Sequence, residues 1–298
     1  MGWLRYPESE YLREGEAGVV YMEITLEELC AKIALQPEMT RRVLAFSGCF
    51  DWACAAPELE GLFQRARWDG ALAALKAKLG PDGDGVKILA CMLQCARETY
   101  GRCRAQGIPE QVFTDTFRCF PRFISEHIAS YGAPAFDRDW WTARQVSMEL
   151  FRLGELEYET VTLDGAPAVS IHIPSDAVLT QPRLRESWAR ARDFFGAYRP
   201  SHRDGVWYCH SWLLEPALAR VLPEGSNILG FQRSFRIGRV DYGARDFVEW
   251  VFKDPRLAPE NYPENTTLQR RLKAYLLEGG EIGEGLGYLA QDPFQPRN

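Results

Sequence analysis

The sequence of 298 residues has only four histidines, no excess of basic residues and no long hydrophobic run. Its 35 basic and 41 acidic residues give a net charge of −6, so no overall positive field attracts nucleic acid. No segment approaches the roughly 18 consecutive apolar residues that would predict a membrane-spanning helix. Residues 1–7 lack the basic start and apolar stretch of a secretory signal. These absences predict a cytoplasmic protein that binds neither nucleic acid nor membrane.

The eight cysteines predict reduced thiols, because disulfides are rare in a long chain without a secretion signal. Cys91 and Cys95 are four residues apart on one face of a predicted helix, which is a spacing that metal ligands use. No second Cys/His pair accompanies them at a suitable spacing. We therefore interpret both as core residues and expect no metal.

The first part of the sequence has a helical pattern. Apolar residues recur with helical period from about residue 25 to 130, which predicts a bundle of four to six helices. Thr25 and Glu28 have capping-box spacing at the start of the first helix. The clearest helix is predicted over 86–104. Another is predicted over 109–131, where Pro121 indicates a kink or a break.

The pattern changes near residue 150. Alternating apolar and polar residues over 151–162 and 167–174 predict two strands, joined by a hairpin turn that contains Asp164 and Gly165. The remaining helices are predicted over 180–198, 244–252 and 267–277, the last with Thr266 and Gln269 at capping-box spacing. Strands are predicted over 206–214 and 281–290, and 228–240 is predicted to be one long strand or a bent pair. The glycine-rich run over 283–287 is interpreted as a strand that lets another backbone or a ligand approach. This order predicts an α+β protein, with an N-terminal helical bundle followed by a mixed sheet with flanking helices. We place the boundary so that residues 1–133 form the helical domain and residues 134–298 the α/β domain.

Several strings resemble one bacterial family with a helical N-terminal acyltransferase-associated domain and a GNAT-like C-terminal domain. They are residues 144–145 (RQ), 153–159 (LGELEYE), 171–174 (IHIP), 209–214 (CHSWLL), 226–228 (SNI) and 267–270 (TLQR). The resemblance implies an acyl-CoA-dependent N-acyltransferase that uses acyl-CoA or acetyl-CoA. Its acceptor would be a small amine or a peptide amine.

The resemblance also implies where CoA binds. A V-shaped splay is expected between parallel strands over 167–174 and 206–214, with CoA beside Ile173 and Ser175. The pyrophosphate would lie at the N-terminus of the following helix, with Arg183 and Arg185 as cationic partners. Residues 174–180 depart from the family pattern, because they contain Asp176 and no glycine where a GNAT loop is glycine-rich.

Acyl transfer to an amine needs a base, donors for the oxyanion and an acid for the thiolate. The catalytic candidates are His172, His210, Cys209 and Glu157, with both histidines expected near the carboxyl ends of adjacent strands. The substrate-binding candidates are Tyr158, Trp212 and Asn227. Each candidate also has a structural alternative. Cys209 could simply pack in the core, Asn227 could cap a helix or form a turn, and the histidines could form structural hydrogen bonds. Glu157 could serve only to keep an edge strand soluble.

Three functions remain open at this point. The first is the N-acyltransferase, with His172 and His210 as base or proton carrier. The second is a non-catalytic protein that keeps a GNAT-like groove for another small molecule, which would explain the missing glycines. The third is a metal- or thiol-dependent hydrolase that uses His172, Cys209 and His210. The sequence does not indicate an oligomeric state.

Overall fold

The computed structural model describes residues 24–254 and 256–290, which form an α+β protein as predicted. The chain divides into two compact units, 1–150 and 151–298. The division lies later than the boundary placed at residue 133, because the helix that follows that position packs on the helical unit. Among the described residues, every helix is too short or too polar to cross a membrane.

The first unit is a helical bundle built around one buried helix. Its helices are α1 (Leu26–Lys32), α2 (Pro37–Cys49), α3 (Ala56–Gly61), α4 (Trp68–Leu79), α5 (Val86–Ala105), α6 (Glu110–Phe117), α7 (Cys119–Tyr131) and α8 (Asp139–Val146). Helix α5 contacts α1, α2, α4, α6 and α8. Cys91 and Cys95 are buried on α5, where burial raises the pKa of both thiols, so they fill the core as interpreted.

Local signals in the sequence set several boundaries of this bundle. The capping box of Thr25 and Glu28 forms as predicted. The predicted helix over 109–131 is broken in two at Arg118, three residues before Pro121. Helix α8 belongs to this unit because Thr99 donates a hydrogen bond to the Val146 carbonyl oxygen at 2.7 Å.

The second unit contains a six-stranded mixed sheet. Its strands are β1 (Leu150–Leu153), β2 (Leu156–Leu163), β3 (Ala166–His172), β4 (Val206–Ser211), β5 (Phe235–Asp241) and β6 (Glu284–Leu289). Their order is β1-β2-β3-β4-β6-β5. Strands β3 and β4 are parallel, whereas β2 with β3, β4 with β6 and β5 with β6 are antiparallel. The helices of this unit are α9 (Gln181–Tyr198), α10 (Pro200–Arg203), α11 (Leu218–Val221), α12 (Asn227–Gln232) and α13 (Thr267–Leu277).

The hairpin between β2 and β3 has the predicted turn, with φ of 50° at Asp164 and 81° at Gly165. A second turn, which was not predicted, divides residues 151–162 into β1 and β2. At that turn Gly154 has a φ of 78°, and a Cβ added to it would lie 3.0 Å from the Cα of Ser187. Glycine is therefore required there for both conformation and space.

Two other predicted elements differ in the structure. The long strand over 228–240 is wrong, because Ser226 caps α12 before β5 begins at Phe235. The strand over 206–214 ends at Ser211, where the chain turns into a 3₁₀ helix, Trp212–Leu214. The predicted helix over 244–252 is a short π-helical turn, Val248–Phe252. The capping box of Thr266 and Gln269 starts α13 as predicted.

The sheet has two chemically different faces. We call the face packed on α9 the apolar face; it carries Tyr158, Val169, Ile171, Trp207 and Cys209. The Phe195 ring of α9 lies 6.5 Å from the Tyr158 ring and 5.3 Å from the Trp207 ring, measured between centroids. Since neighbouring residues of a strand point to opposite faces, the residues between these belong to the other face.

Candidate functional site

The parallel strands separate at their carboxyl ends. Pairing between β3 and β4 covers 168–170 and 206–208, ending where Ser170 lies opposite Tyr208. Strand β3 continues to His172 and remains paired with β2, whereas β4 continues to Ser211 and remains paired with β6. The two histidine-bearing segments thus lie side by side in one sheet and part from each other at their ends.

We call the face opposite α9 the polar face. Strand register brings onto it Glu157 and Glu159 of β2, Ser170 and His172 of β3, Tyr208 and His210 of β4, and Glu284 and Tyr288 of β6. His172 and His210 therefore share one face, as the alternation of His172 with Ile171 and Ile173 indicated. A half-buried imidazole among carboxylates is suited to accept and return protons.

Each histidine is partnered by a glutamate on a neighbouring strand. His172 Nε2 lies 3.0 Å from Glu159 Oε2, and Glu157 is the cross-strand neighbour of His172. The Glu157 and Glu159 side chains are both buried. His172 is therefore paired with β2 and not with β4, because β3 and β4 have already separated at this point.

The second pair lies on the opposite side of the splay. His210 Nδ1 is 3.6 Å from Glu284 Oε2, and the His210 side chain is 42% exposed whereas that of Glu284 is 11% exposed. Burial, followed by the neighbouring Asp246 and Asp241 carboxyl groups, raises the pKa of Glu284 to about 7. The Glu284 carboxyl group therefore holds a proton more readily than an exposed glutamate does, and it lies beside an accessible imidazole.

The segment between β3 and α9 is tied to the β1–β2 turn by ion pairs. Arg152 donates two hydrogen bonds to the Asp176 carboxylate, at 2.7 and 2.9 Å. The buried Glu155 carboxylate accepts hydrogen bonds from the Val178 backbone N–H at 2.8 Å and from Arg183 at 3.0 Å. The Asp176 charge is thus compensated within the protein, and Arg183 already has a carboxylate partner.

The other candidates take different positions. Ile173 and Ser175 lie in the segment that joins β3 to α9, and Arg185 lies in the first turns of α9. Trp212 opens the 3₁₀ helix after β4, and its partly buried ring packs on a second core around Leu218 and Phe252. Asn227 is the first residue of α12, next to the capping Ser226.

Two candidates belong to the apolar face rather than to the site. Cys209 is fully buried, and burial raises the pKa of its thiol well above the usual range. Tyr158 is also fully buried, and its hydroxyl group lies 2.8 Å from the Ser187 hydroxyl group. The structure therefore replaces the roles expected for Cys209 and Tyr158 with packing roles, since neither side chain faces the histidines.

Glu284, Asp246 and Asp241 are not among the residues that the sequence indicated. Glu284 lies in the glycine-rich run over 283–287, which we interpreted only as a strand that allows close approach. Such an approach does occur, because a Cβ on Gly285 would lie 2.5 Å from the Leu214 carbonyl oxygen. The alternation of side chains along that run could have indicated Glu284, because it places Glu284 on one face of the strand and Gly285 on the other.

A polar cleft of about 670 Å³ lies in the second unit, near the start of β6. Its walls include Glu215, Arg220, Tyr242, Tyr275, Glu278 and Glu281. Buried Glu215 accepts a hydrogen bond from the Gly283 N–H at 3.1 Å, which fixes the cleft wall to the residue before Glu284. In the described part of the chain, no three His, Cys, Asp or Glu side chains are grouped to bind a metal ion.

A mixed sheet whose central parallel strands part at their carboxyl ends defines a GNAT-like fold. A model of the N-acyltransferase N-terminal domain matches residues 24–148, and a model of the GNAT-like C-terminal domain matches residues 150–289. The chain therefore belongs to the two-domain family that joins these domains in this order, which confirms the resemblance. No relative among curated proteins matches the chain.

Solved structures show the same architecture. An acyltransferase in complex with decanoyl-CoA and teicoplanin is 22% identical, with a TM-score of 0.74 over 89% of this chain and 88% of that one. An acyltransferase in complex with decanoyl-CoA is 23% identical, with a TM-score of 0.74 over 89% of this chain and 86% of that one. At these identities the likeness concerns the fold, so this chain has an acyltransferase fold.

Proposed function

We propose that the protein is an acyl-CoA-dependent N-acyltransferase that acts on a small amine or a peptide amine. The observation that carries the proposal is the end of β3–β4 pairing at Ser170 and Tyr208, while both strands continue with a histidine on the same face. The separation of β3 from β4 beyond Ser170 gives the pantetheine arm of CoA room to lie along the β3 edge. The neighbouring solved acyltransferases, which bind decanoyl-CoA or CoA, support this choice of donor.

In this proposal the histidines of the polar face handle the proton. His210 is the base that takes a proton from the acceptor amine, because its ring is the more exposed of the two. His172 lies across the splay, with its Nε2 atom held by Glu159 and with Glu157 beside it. We assign it to orienting the thioester end of the donor.

The phosphate end of CoA is assigned to the start of α9. Ile173 and Ser175 lie on the route from the β3 edge to this helix, and Arg185 supplies positive charge in its first turns. The helix has no side-chain cap at Thr180, so the N–H groups of its first turn that remain after Pro182 would add to the arginine contacts with a phosphate. Arg183 contributes by turning from Glu155 to a phosphate oxygen.

The test measures donor binding and turnover separately. Purified protein is titrated with acetyl-, octanoyl- and decanoyl-CoA by calorimetry, and CoA release is then followed with a panel of primary amines and short peptides. We expect binding of an acyl-CoA and formation of an amide that mass spectrometry detects. His210→Gln is expected to lower kcat about 100-fold or more, because general base catalysis contributes on that scale.

The matched control is His202→Gln, which removes an imidazole of the same unit in α10, away from the polar face. This variant is expected to keep the parent rate. If no acyl-CoA binds at millimolar concentration, the proposal is wrong. If His210→Gln and His202→Gln have equal rates, the assignment of the base is wrong.

A second candidate is a non-catalytic binding protein, and one observation favours it. The N–H groups of Ala177 and Val178, in the segment where a GNAT loop binds phosphate, already donate to Pro174 and Glu155. This candidate predicts that some other small molecule binds while no acyl donor is turned over. The same calorimetric and turnover measurements therefore distinguish the two functions.

A further inference from the structure

We propose that Glu284 is the positioning residue for His210, holding the ring so that Nδ1 faces the carboxylate and Nε2 faces the acceptor amine. The inference rests on the proposed function, because the acceptor amine belongs to that reaction. The contact between Glu284 and His210 can be tested without it. The resemblance that introduced the two histidines did not include Glu284.

The geometry separates the two histidine–glutamate pairs of the polar face. His172 is 23% exposed and lies at hydrogen-bond distance from Glu159, which is 5% exposed. His210 is 42% exposed, and its 3.6 Å separation from Glu284 is longer than a hydrogen bond. A small rotation of the ring closes this gap when the imidazole gains a proton, because the opposite charges then attract. The pair at His210 is thus able to respond to protonation.

The surroundings of Glu284 favour the protonated form of its carboxyl group. Asp246, from the segment after β5, shares a hydrogen bond with the Glu284 carboxyl group, and Asp241 lies opposite Glu284 in the β5–β6 register. These neighbours and burial raise the pKa of Glu284 to about 7. Among the described residues, the other titratable groups of this face on β4, β5 and β6 are Tyr208, Tyr288, Arg236 opposite Tyr288, and Arg239 opposite Leu286. Glu157, Glu159 and His172 lie on the same face across the splay.

The proton balance of the step is simple. The amine nitrogen attacks the thioester carbon, the N–C bond forms and the C–S bond breaks. One amine proton moves to His210 Nε2, while the Nδ1 proton remains on the ring and points at Glu284. The imidazolium then gives a proton to the CoA thiolate, so that the products are an amide and free CoA. Glu284 stabilises the imidazolium and gains no covalent bond.

The experiment follows the His210 ring by NMR of histidine-labelled full-length protein between pH 5 and 9, with His210→Gln to assign its signal. In the parent, the neutral ring is expected to carry its proton mainly on Nδ1, because that nitrogen faces the Glu284 carboxyl group. In Glu284→Gln the ring loses its negative partner. The nitrogen shifts of the ring are therefore expected to show a larger fraction of the tautomer that is protonated on Nε2.

Two further variants control the result. Glu159→Gln is expected to change the ring signals of His172 and to leave those of His210 unchanged. Glu284→Asp retains the carboxyl group one methylene further back, so the tautomer ratio of His210 changes less than in Glu284→Gln. Glu284→Asp also tests the contact if Glu284→Gln does not fold. An unchanged His210 tautomer ratio in the folded Glu284 variants would overturn the proposal.

Activity provides the second readout. If an amine is acylated, Glu284→Gln is expected to lower kcat with little change in KM, because the ring is no longer held for proton transfer. Glu284→Asp should restore part of kcat. If no amine is acylated, the NMR measurement still decides the contact, so failure of the transferase proposal is distinguishable from failure of this one.

Discussion

Replacement of Ser187 by alanine tests the link between the sheet and the helix that follows β3. The Ser187 hydroxyl group is fully buried and donates its one hydrogen to the Leu153 carbonyl oxygen at 2.6 Å. It therefore accepts from the Leu156 N–H at 3.2 Å and from the Tyr158 hydroxyl group at 2.8 Å. All the hydrogen-bonding capacity of this oxygen is used to fix the β1–β2 turn to α9.

Ser187→Ala leaves three buried polar groups without this partner. At about 1 kcal/mol for each lost hydrogen bond, the free energy of unfolding is expected to fall by about 3 kcal/mol. Tyr158→Phe removes one of the three bonds and should cost about 1 kcal/mol. In the Tyr158→Phe background, Ser187→Ala should therefore cost about 1 kcal/mol less than in the parent, because the phenol group is no longer left unsatisfied.

Urea unfolding of the full chain, followed by tryptophan fluorescence, measures these differences. Hydrogen exchange of peptides from β2 and α9 locates them in the second unit. Ser201→Ala is the matched control, since Ser201 is an exposed residue of α10. If Ser187→Ala costs no more than Ser201→Ala, the hydrogen-bond network does not hold α9 in place and the reasoning fails.

Two other substitutions or modifications have distinct expected outcomes. Gly154→Ala should lower the melting temperature more than Gly165→Ala, because both glycines have positive φ but only at Gly154 would the added methyl group meet Ser187 atoms; equal shifts would contradict this. Among the cysteines, exposed Cys49 and Cys54 should react with a thiol reagent in the native protein, whereas Cys209 should react only on unfolding. Mass spectrometry measures the modification of each cysteine over time, and modification of Cys209 in the native protein would contradict this expectation.

The elements that were predicted correctly are those that a short stretch of sequence specifies by itself. Helix α5 has a long apolar pattern, and the capping boxes at Thr25 and Thr266 are contained within four residues each. The strand predicted over 228–240 was wrong over residues 228–234, because their apolar residues fit both periods over a short run. The cap at Ser226, which distinguishes the helix, was not recognised, although capping was considered for the neighbouring Asn227.

The site was only partly predictable for a different reason. The alternation along β3 was enough to place His172 opposite Ile171, and the order of elements was enough to make β3 and β4 neighbours. The glutamate partners depend on strand register, because Glu284 reaches His210 only when β6 inserts between β4 and β5. No local pattern specifies this insertion, so neither Glu284 nor its neighbour Asp246 was identified.

The glycine-free segment before α9 shows how the fold constrains the proposed phosphate site. A glycine-rich loop presents backbone N–H groups to phosphate, but here the Val178 N–H is bound to Glu155, and Pro182 at the start of α9 has no N–H. Asp176 would repel an anion, yet Arg152 compensates its charge. The affinity for a pyrophosphate must therefore come mainly from arginine side chains. Since such contacts are screened by salt more than buried backbone contacts are, CoA binding by this protein should weaken steeply as ionic strength rises.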